Sequence, residues 1–343
     1  MTFDPVRFTQ SLVDIESTTY NEGAAASFLA EALAARGYSV EKMPVEQHAE
    51  SRFAGDRFNV FASVPGKTPE VVFSTHIDTV PPYFPFREDA DFIYGRGVCD
   101  AKGIIAAQTA AAERLRDDFD IPAGLLFVVG EERDSAGAKV ANQDPRGSRF
   151  LINGEPTDNR IALASKGALR AIVRATGKMG HSAYPELGES AVHKMVEALH
   201  RILAIPLPVL EDVGPSTLNI GSIDGGHAPN VIADHAEAQI LIRLIGDSSE
   251  TRQAVEDAIA GIATVEFPLE IPFQRLRHMD GLPTMVAAFT TDVPWLSAWG
   301  EPVLLGPGSI HVAHTPHEKL AKRELFEAID LYVEVAKRLV SGG

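Results

Sequence analysis

Acidic and imidazole side chains follow several apolar runs of this sequence. The run at residues 71–75 is followed by His76 and Asp78, and prolines then end any regular structure. In an extended chain, a spacing of two puts both side chains on one face. Asp78 could then fix the tautomer of His76, as carboxylates do behind metal-bound imidazoles. A purely structural histidine at a strand end is the alternative interpretation.

A glycine-rich segment, YGRGVCDAKG, surrounds Asp100 and leads into an Ala-rich stretch. Its spacing is not that of a Walker phosphate loop, because no Ser or Thr follows Lys102. Asp100 is therefore interpreted either as a metal ligand or as the N-cap of the following helix.

Further carboxylates follow two later apolar runs. Glu131 and Glu132 come directly after GLLFVVG, and Glu155 comes after FLING. Two carboxylates at one strand exit repel each other unless a cation or a proton separates them. A Gly/Pro-rich loop near the C-terminus adds three histidines within seven positions: His311, His314 and His317. An exposed histidine-rich loop is the alternative interpretation of that segment.

Together these segments offer two imidazoles and three carboxylates: His76, Asp100, Glu132, Glu155 and His314. A mixed nitrogen and oxygen set suits Zn²⁺, and suits Co²⁺ or Mn²⁺ less well. If Asp100 bridges, five residues give two divalent ions three protein contacts each and leave room for a shared water. The sequence therefore predicts a dinuclear metal centre.

The surrounding pattern predicts the elements that position these side chains. Apolar runs separated by the Ala-rich helix after Asp100 indicate a parallel α/β unit. After about residue 166, alternating strands and amphipathic helices are typical of a small α+β domain with its helices on one sheet face. We expect a catalytic domain of residues 1–166 plus 276–343, in which a mixed sheet is sandwiched by helices. Residues 167–275 are expected to form an inserted lid or dimerisation domain.

The amino-acid composition excludes several classes of binding partner. The 343 residues include 31 Lys and Arg against 47 Asp and Glu, so the formal net charge is −16. Such a surface argues against nucleic acid or an anionic membrane as the main partner. The single cysteine, Cys99, excludes an intrachain disulfide. No signal peptide or membrane-spanning run is visible, which predicts a soluble, cytoplasmic protein. A nicotinamide dinucleotide fingerprint is also missing.

Taken in order, the motifs resemble the dinuclear zinc hydrolases that include acetylornithine deacetylase, succinyl-diaminopimelate desuccinylase and carboxypeptidase G. The resemblance spans about residues 71–318 and rests on THIDTVP, GRGVCDAKG, GEERDSAGA, NGEPT, GHSAYPELG, GGHAPNVIADHAEAQILIR and GPGSIHVAHTPHE. The pair GPGSI and AHTPHE is most similar to the acetylornithine deacetylase branch.

The resemblance implies roles for the first domain. His76 and Glu155 would hold one metal ion, Glu132 and His314 would hold the other, and Asp100 would bridge them. Glu131 would be the general base, and Asp78 would orient His76. The family also has a cis peptide bond after the bridging aspartate.

The resemblance also implies roles for the inserted domain. His181 would reach an active site, that of a partner subunit, and polarise the scissile carbonyl group. Asn230 and Arg243 would contact the substrate, with Arg243 as a carboxylate clamp. The inserted domain would mediate homodimerisation. The sequence departs from the family pattern at Ala101, Arg133 and His317, none of which removes a ligand.

The expected activity is metal-dependent removal of an acyl group, such as acetyl, from an N-acyl amino acid such as N-acetylornithine. This reaction would belong to amino-acid biosynthesis. A dipeptidase or carboxypeptidase with the same dinuclear centre is the first alternative. A non-catalytic binding protein on a hydrolase scaffold is the second, and it is disfavoured because every ligand and base position is filled.

Overall fold

A computed structural model describes residues 3–52 and 56–342. The first helices and strands, in chain order, are α1 (Pro5–Val13), α2 (Gly23–Ala35), β1 (Ser39–Pro44), β2 (Phe58–Ser63), β3 (Val71–His76), β4 (Arg87–Glu88), β5 (Phe92–Tyr94), α3 (Lys102–Phe119), β6 (Ala123–Val128), α4 (Ala136–Ala141), β7 (Phe150–Asn153) and β8 (Ile161–Ser165). The next are β9 (Gly167–Thr176), β10 (Gly180–His181), α5 (Ala191–Leu203), β11 (Val209–Leu210), β12 (Gly214–Pro215), β13 (Thr217–Gly225), β14 (Val231–Ile232), β15 (His235–Leu244), α6 (Ser249–Ile259), β16 (Thr264–Ile271) and β17 (Gln274–Arg275). The last are β18 (Thr284–Ala287), β19 (Glu301–Leu304), β20 (Lys319–Ala321) and α7 (Lys322–Ser341), with 3₁₀ turns at Pro185–Leu187 and Val293–Trp299.

The chain forms two compact units. The first contains the chain up to Leu163, then Leu276–Met285 and the chain from Thr291 onward. The second contains Ala164–Arg275 together with Val286–Thr290. The sequence-based division at about 166 and 276 did not include that last short segment in the inserted domain.

The first unit is built around a six-stranded sheet with the order β1-β2-β6-β3-β7-β19. Strand β3 runs parallel to both β6 and β7, and β19 runs parallel to β7. Strands β1 and β2 pair antiparallel to each other, and β2 pairs antiparallel to β6. The sheet is therefore mixed, and its parallel strands all end at one edge.

Both faces of this sheet are covered, because successive residues of its central strands are apolar. Phe73 and Phe127 pack into a core formed with α1, α2, α3 and α7. Val72 and Leu126, which point the opposite way, pack with α4 and with Trp299 of the 3₁₀ turn. Two-sided burial of this kind is typical of parallel strands covered by helices. The predicted α/β sandwich is confirmed.

The second unit contains a four-stranded antiparallel sheet with the order β13-β15-β9-β16. Along β9 the apolar residues Leu169, Ala171 and Val173 are buried, whereas Arg170 is exposed and Arg174 is half-buried. The buried face packs against α5 and α6. This is the α+β arrangement, with helices on one sheet face, that the alternating pattern predicts.

Within the described residues, no helix is both long and apolar enough to cross a membrane.

Candidate metal centre

The first unit gathers the predicted ligands at the carboxyl edge of its parallel strands. His76 is the last residue of β3, the Glu131–Glu132 pair follows β6, and Glu155 follows β7. Open α/β sheets place their sites at this edge, since parallel strands all deliver their following loops there. The sheet topology thus explains why residues far apart in sequence meet.

Asp100 is fixed by a carboxylate from another part of the chain. Strand β20 pairs with β5, so Glu318, just before β20, meets the loop that follows β5. Glu318 Oε1 accepts hydrogen bonds from the backbone N–H groups of Gly97, Cys99 and Asp100 at 2.9, 3.1 and 3.2 Å. Its other oxygen pairs with Arg96 at 2.6 Å. These contacts hold the Asp100 loop in place.

The N-cap interpretation of Asp100 is wrong. Helix α3 begins at Lys102, its N-cap residue is Ala101, and no side chain accepts a capping hydrogen bond there. The Asp100–Ala101 peptide bond is cis, as the family resemblance implies. The carboxylate of Asp100 is instead directed toward two imidazoles.

Asp100 lies between two histidines. His76 Nε2 is 2.9 Å from Asp100 Oδ1, and His314 Nε2 is 3.2 Å from Asp100 Oδ2. His314 Nε2 is also 2.9 Å from Glu132 Oε2. The donor atoms of His76, Asp100 and Glu132 all lie within 4.8 Å of one another. One carboxylate therefore presents an oxygen to each side, which is the geometry of a bridging ligand.

Several buried carboxylates lie at the same place, and the neighbouring His76 only partly offsets their effect on one another. Burial raises the pKa of Glu155 well above its usual value, and the nearby Asp100 carboxylate raises it further. Burial and the charge of Glu155 likewise raise the pKa of Glu131. One oxygen of Glu155 is buried with no hydrogen-bond partner among the residues that the structure describes. Buried carboxylates so close together are stable as anions only beside cations.

The donor set therefore fits divalent metal ions. Imidazole nitrogens and carboxylate oxygens are ligands of Zn²⁺, Mn²⁺ and Co²⁺. His76, Asp100, Glu132, Glu155 and His314 would hold the ions, which would supply the positive charge that the buried carboxylates lack. Glu131 lies beside these five residues and is not needed as a metal ligand.

Asp78 supports the centre differently from the sequence-based expectation. His76 Nδ1 bonds the backbone carbonyl oxygen of Asp78 at 2.9 Å, whereas the nearest Asp78 carboxylate oxygen is 3.6 Å away. The carboxylate accepts the backbone N–H groups of Gly130, Glu131 and Glu132 at 3.0, 3.1 and 3.2 Å. Asp78 thus orients His76 through its backbone and the glutamate pair through its side chain.

Comparisons with known proteins agree with this geometry. Residues 163–269 match the family described as the peptidase dimerisation domain. The chain is 38% identical over 342 residues to a peptidase M20 domain-containing protein of Schizosaccharomyces pombe, covering 96% of this chain and 82% of that protein. The chain belongs to the M20 peptidase family. M20 peptidases are metallohydrolases of peptide and amide bonds, so the predicted enzyme class is confirmed.

A second relative and two solved structures are also similar to this chain. A probable carboxypeptidase of Aspergillus terreus is 40% identical over 363 residues, covering 95% of this chain and 84% of that protein. Aminopeptidase PepT of Bacillus cereus has the same fold, with a TM-score of 0.81, 21% identity and 98% of both chains covered. A Bacillus subtilis dinuclear metal-binding peptidase of the M20 family superposes with a TM-score of 0.69, 15% identity and 98% of both chains covered.

In the second unit, two of the three predicted substrate-contacting residues, His181 and Asn230, are neighbours. His181 ends β10 and pairs with Val231 of β14, and Ser182 donates its backbone N–H to the carbonyl oxygen of Asn230 at 3.1 Å. Both His181 and Asn230 are exposed. Arg243 lies near the far end of β15, roughly 27 Å along the strand from its first residue. The unit therefore brings His181 and Asn230 together and keeps Arg243 apart.

Two charged residues in this M20 chain were missed by sequence reasoning. Lys166 is buried beside Arg243, and burial together with that guanidinium charge lowers the pKa of Lys166. Asp292 is buried, neither of its oxygens has a hydrogen-bond partner within the described residues, and burial raises its pKa to about 7. A charged residue inside an otherwise apolar stretch was the available signal for Asp292, in TTDVPWL. Lys166 had no comparable signal.

Proposed function

We propose that this chain is a dinuclear metallopeptidase that releases an amino acid with a free carboxylate from the amide bond of a short peptide. The observation that carries this proposal is the position of Asp100 between His76 and His314, with unpaired Glu155 beside them. A buried bridging carboxylate with imidazoles on both sides is suited to two metal ions and to hydrolysis.

The residues of the centre would divide the work. Two bound ions, Zn²⁺ in our proposal with Co²⁺ or Mn²⁺ as alternatives, would supply an acidified water and polarise the scissile carbonyl group. Glu131 would take the proton of the attacking water and deliver it to the leaving amine. The backbone N–H bonds to Asp78 hold Glu131 at the centre. His181 would stabilise the developing oxyanion.

Two cations in the second unit support recognition of a carboxylate. The Arg243 side chain is half-buried and has no hydrogen bond or ion pair with any described residue. Lys166 beside it donates only to the carbonyl oxygen of Pro215, at 2.6 Å. Two partly desolvated cations without an anion favour binding of a carboxylate from the substrate. We propose that Arg243 and Lys166 bind that group, and that Asn230, which lies beside His181, contacts another part of the substrate.

This proposal favours the peptidase alternative over the deacetylase expectation. An N-acyl amino acid and the C-terminal end of a peptide present the same unit, an amide followed by a free α-carboxylate. Only the acyl side differs between them. The probable carboxypeptidase of Aspergillus terreus favours a peptide on that side, and none of the relatives reported above has a name that refers to N-acetylornithine.

We also propose that the second unit forms a homodimer and that His181 acts in the partner subunit's site. The match to the peptidase dimerisation domain supports this assembly. Exposed large apolar side chains are concentrated in the same unit: Met179, Tyr184, Leu187, Val196, Leu203, Val209, Ile223 and Leu269. Exposed apolar residues in such number are typical of a surface that another chain covers.

A matched substrate panel tests the activity. We expect the zinc-loaded enzyme to cleave an N-blocked dipeptide with a free carboxylate, and to leave the same dipeptide uncleaved when its C-terminus is an amide. N-acetyl amino acids, including N-acetylornithine, should be poorer substrates than the blocked dipeptide. Equal cleavage of the acid and the amide would contradict carboxylate recognition, and N-acetylornithine as the best substrate would restore the deacetylase interpretation.

Arg243→Ala sharpens the same test. Loss of a charge-assisted contact should raise KM for the free-carboxylate substrate by about 10- to 100-fold, without changing metal content. Arg201→Ala, which removes an exposed arginine from α5 of the same unit, is the matched control and should behave as wild type. An unchanged KM in Arg243→Ala would remove this residue from substrate binding.

A further inference from the structure

A second imidazole–carboxylate cluster lies in the second unit, outside the proposed catalytic residues. His227 Nε2 and His235 Nδ1 both contact Asp234 Oδ1, at 2.8 and 2.9 Å. The two imidazole rings stand edge to face, with centroids 5.0 Å apart. One donor atom from each of the three residues lies within 4.8 Å of the other two. Three potential ligand atoms therefore converge on one point.

The backbone fixes two of the three residues. His235 begins β15 and pairs with Thr176 of β9, so its direction is set by the sheet. Asp234 accepts the backbone N–H of Gly177 through its carbonyl oxygen at 2.8 Å. The loop carrying His227 is closed onto the same strand, because Gly226 donates its N–H to the carbonyl oxygen of His235 at 3.1 Å. Little chain entropy remains to be lost when a ligand binds all three side chains.

The contact distances are similar to those of the candidate metal centre, where His76 Nε2 and Asp100 Oδ1 are 2.9 Å apart. In both places two imidazole nitrogens face one carboxylate. Asp100 uses both of its oxygens for these contacts, whereas Asp234 uses Oδ1 alone. One carboxylate and two imidazoles are a common ligand set for zinc.

Space for the remaining ligands is also present. His227 lines an open cavity of about 400 Å³ with His193 of α5 and with the loop that follows Gly225. Zinc bound by three protein groups keeps a fourth position for water or another ligand. The cavity leaves open space beside His227, one of the three residues.

We propose that His227, Asp234 and His235 form an additional metal site that binds a divalent transition-metal ion such as Zn²⁺. The ion would connect the 226–230 loop to strand β15, and so restrain the segment that carries Asn230. The site is separate from the catalytic ligands, and its existence does not depend on the proposed activity.

Metal counting on the full chain tests the site. Wild type and the His227→Ala/His235→Ala double variant are equilibrated with the same excess of Zn²⁺, dialysed against a common zinc buffer, and analysed for zinc per chain. We expect wild type to retain one more ion than the double variant. This difference does not depend on how many ions the first unit holds. His200→Ala removes an exposed histidine of α5 outside the cluster and should match wild type.

Asp234→Asn is the second variant, because it keeps the side-chain shape and removes the charge. It should also lose the additional ion, while circular dichroism confirms that all variants are folded. Equal zinc content in wild type and the double variant would overturn the proposal. Loss of the ion in the double variant but not in Asp234→Asn would overturn the three-ligand site.

Discussion

The two imidazole–carboxylate clusters of this chain have contacts of similar length in different surroundings. In the first unit, His76 and Asp100 are buried and meet at 2.9 Å, although the side chain of His314 is 48% exposed. In the second unit, His227 and His235 meet Asp234 at the same range of distances, but all three side chains are 37–54% exposed. Chain connectivity differs as well: the first cluster draws on loops spread from residue 76 to 314, and the second on nine consecutive positions.

The solvent exposure of each cluster decides whether its carboxylates need a cation to stay ionised. Water screens the charge of Asp234, and the two histidines are sufficient to keep it ionised. In the first unit, burial raises the pKa values of Glu131 and Glu155. Among the residues that the structure describes, no lysine or arginine donates a hydrogen bond to either carboxylate. A cation is therefore part of the stable state of the buried cluster. Metal binding should stabilise the first unit strongly and the second unit only slightly.

The largest expected effect separates chemistry from metal binding within the buried cluster. Glu131→Gln removes the proposed proton acceptor and keeps its size, so kcat should fall by about 10²–10⁴-fold. Metal content should stay as in wild type, because Glu131 is not one of the proposed ligands. Zinc analysis and steady-state kinetics check both parts. Glu256→Gln on α6 is the control, and full activity in Glu131→Gln would remove this residue from the mechanism.

An intermediate effect is expected from weakening the contacts between Asp78 and the backbone that carries Glu131 and Glu132. Asp78→Asn replaces an acceptor of three backbone N–H groups by an amide that also donates. Misplacement of the glutamate pair should weaken zinc affinity by about 10–100-fold, as loss of such supporting contacts does in other zinc sites. Competition with a chromophoric chelator measures the affinity. Asp224→Asn on the exposed part of β13 is the control, and wild-type affinity in Asp78→Asn would show that the turn needs no such support.

The smallest expected effect concerns stability and pH. The pKa of Asp292 is raised from its usual 3.8 to about 7 by burial, so folding favours its protonated form. Its contribution to stability is fully present below about pH 4 and is lost as pH rises through 7. Asp292→Asn should therefore stabilise the metal-free chain by about 1–4 kcal/mol at pH 8 and leave its stability near pH 4 unchanged.

Urea unfolding at the two pH values measures this difference, and Asp280→Asn at an exposed position is the control. Equal stability of wild type and Asp292→Asn at pH 8 would mean that Asp292 is compensated in the folded chain. Loading with zinc should reduce the difference, because nearby cations stabilise the ionised form of Asp292. That reduction would connect Asp292 to the buried cluster rather than to the exposed one.

Much of the buried cluster was predictable from the sequence, since apolar runs locate strand ends and parallel strands bring those ends together. His76, Glu132 and Glu155 were found in this way, and the α/β sandwich followed from the same runs. The direction of a side chain was not predictable. Periodicity cannot show that the Asp78 carboxylate turns toward backbone N–H groups, or that Asp100 is no helix cap.

The remaining features depend on partners that local patterns do not specify. Lys166 can be assigned a binding role only together with Arg243, which is 77 positions away along the chain. The exposed cluster depends on closure of the loop between β13 and β15, which juxtaposes His227 with His235. Substrate choice was the least predictable property, because the motifs that resemble acetylornithine deacetylase carry the proposed metal ligands and catalytic residues and do not identify the group on the acyl side of the substrate.

The hydrogen bonds and the ion pair of Glu318 have a consequence for the affinities of the two proposed metal positions. Glu318 lies four residues after His314, and its carboxylate holds the backbone of Asp100 while pairing with Arg96, both charged groups being 2% exposed. A displacement of the His314 segment would therefore also move the backbone of Asp100, the proposed bridging ligand. Binding of an ion at one metal position should then change the affinity of the other position, so we expect the two positions to be coupled.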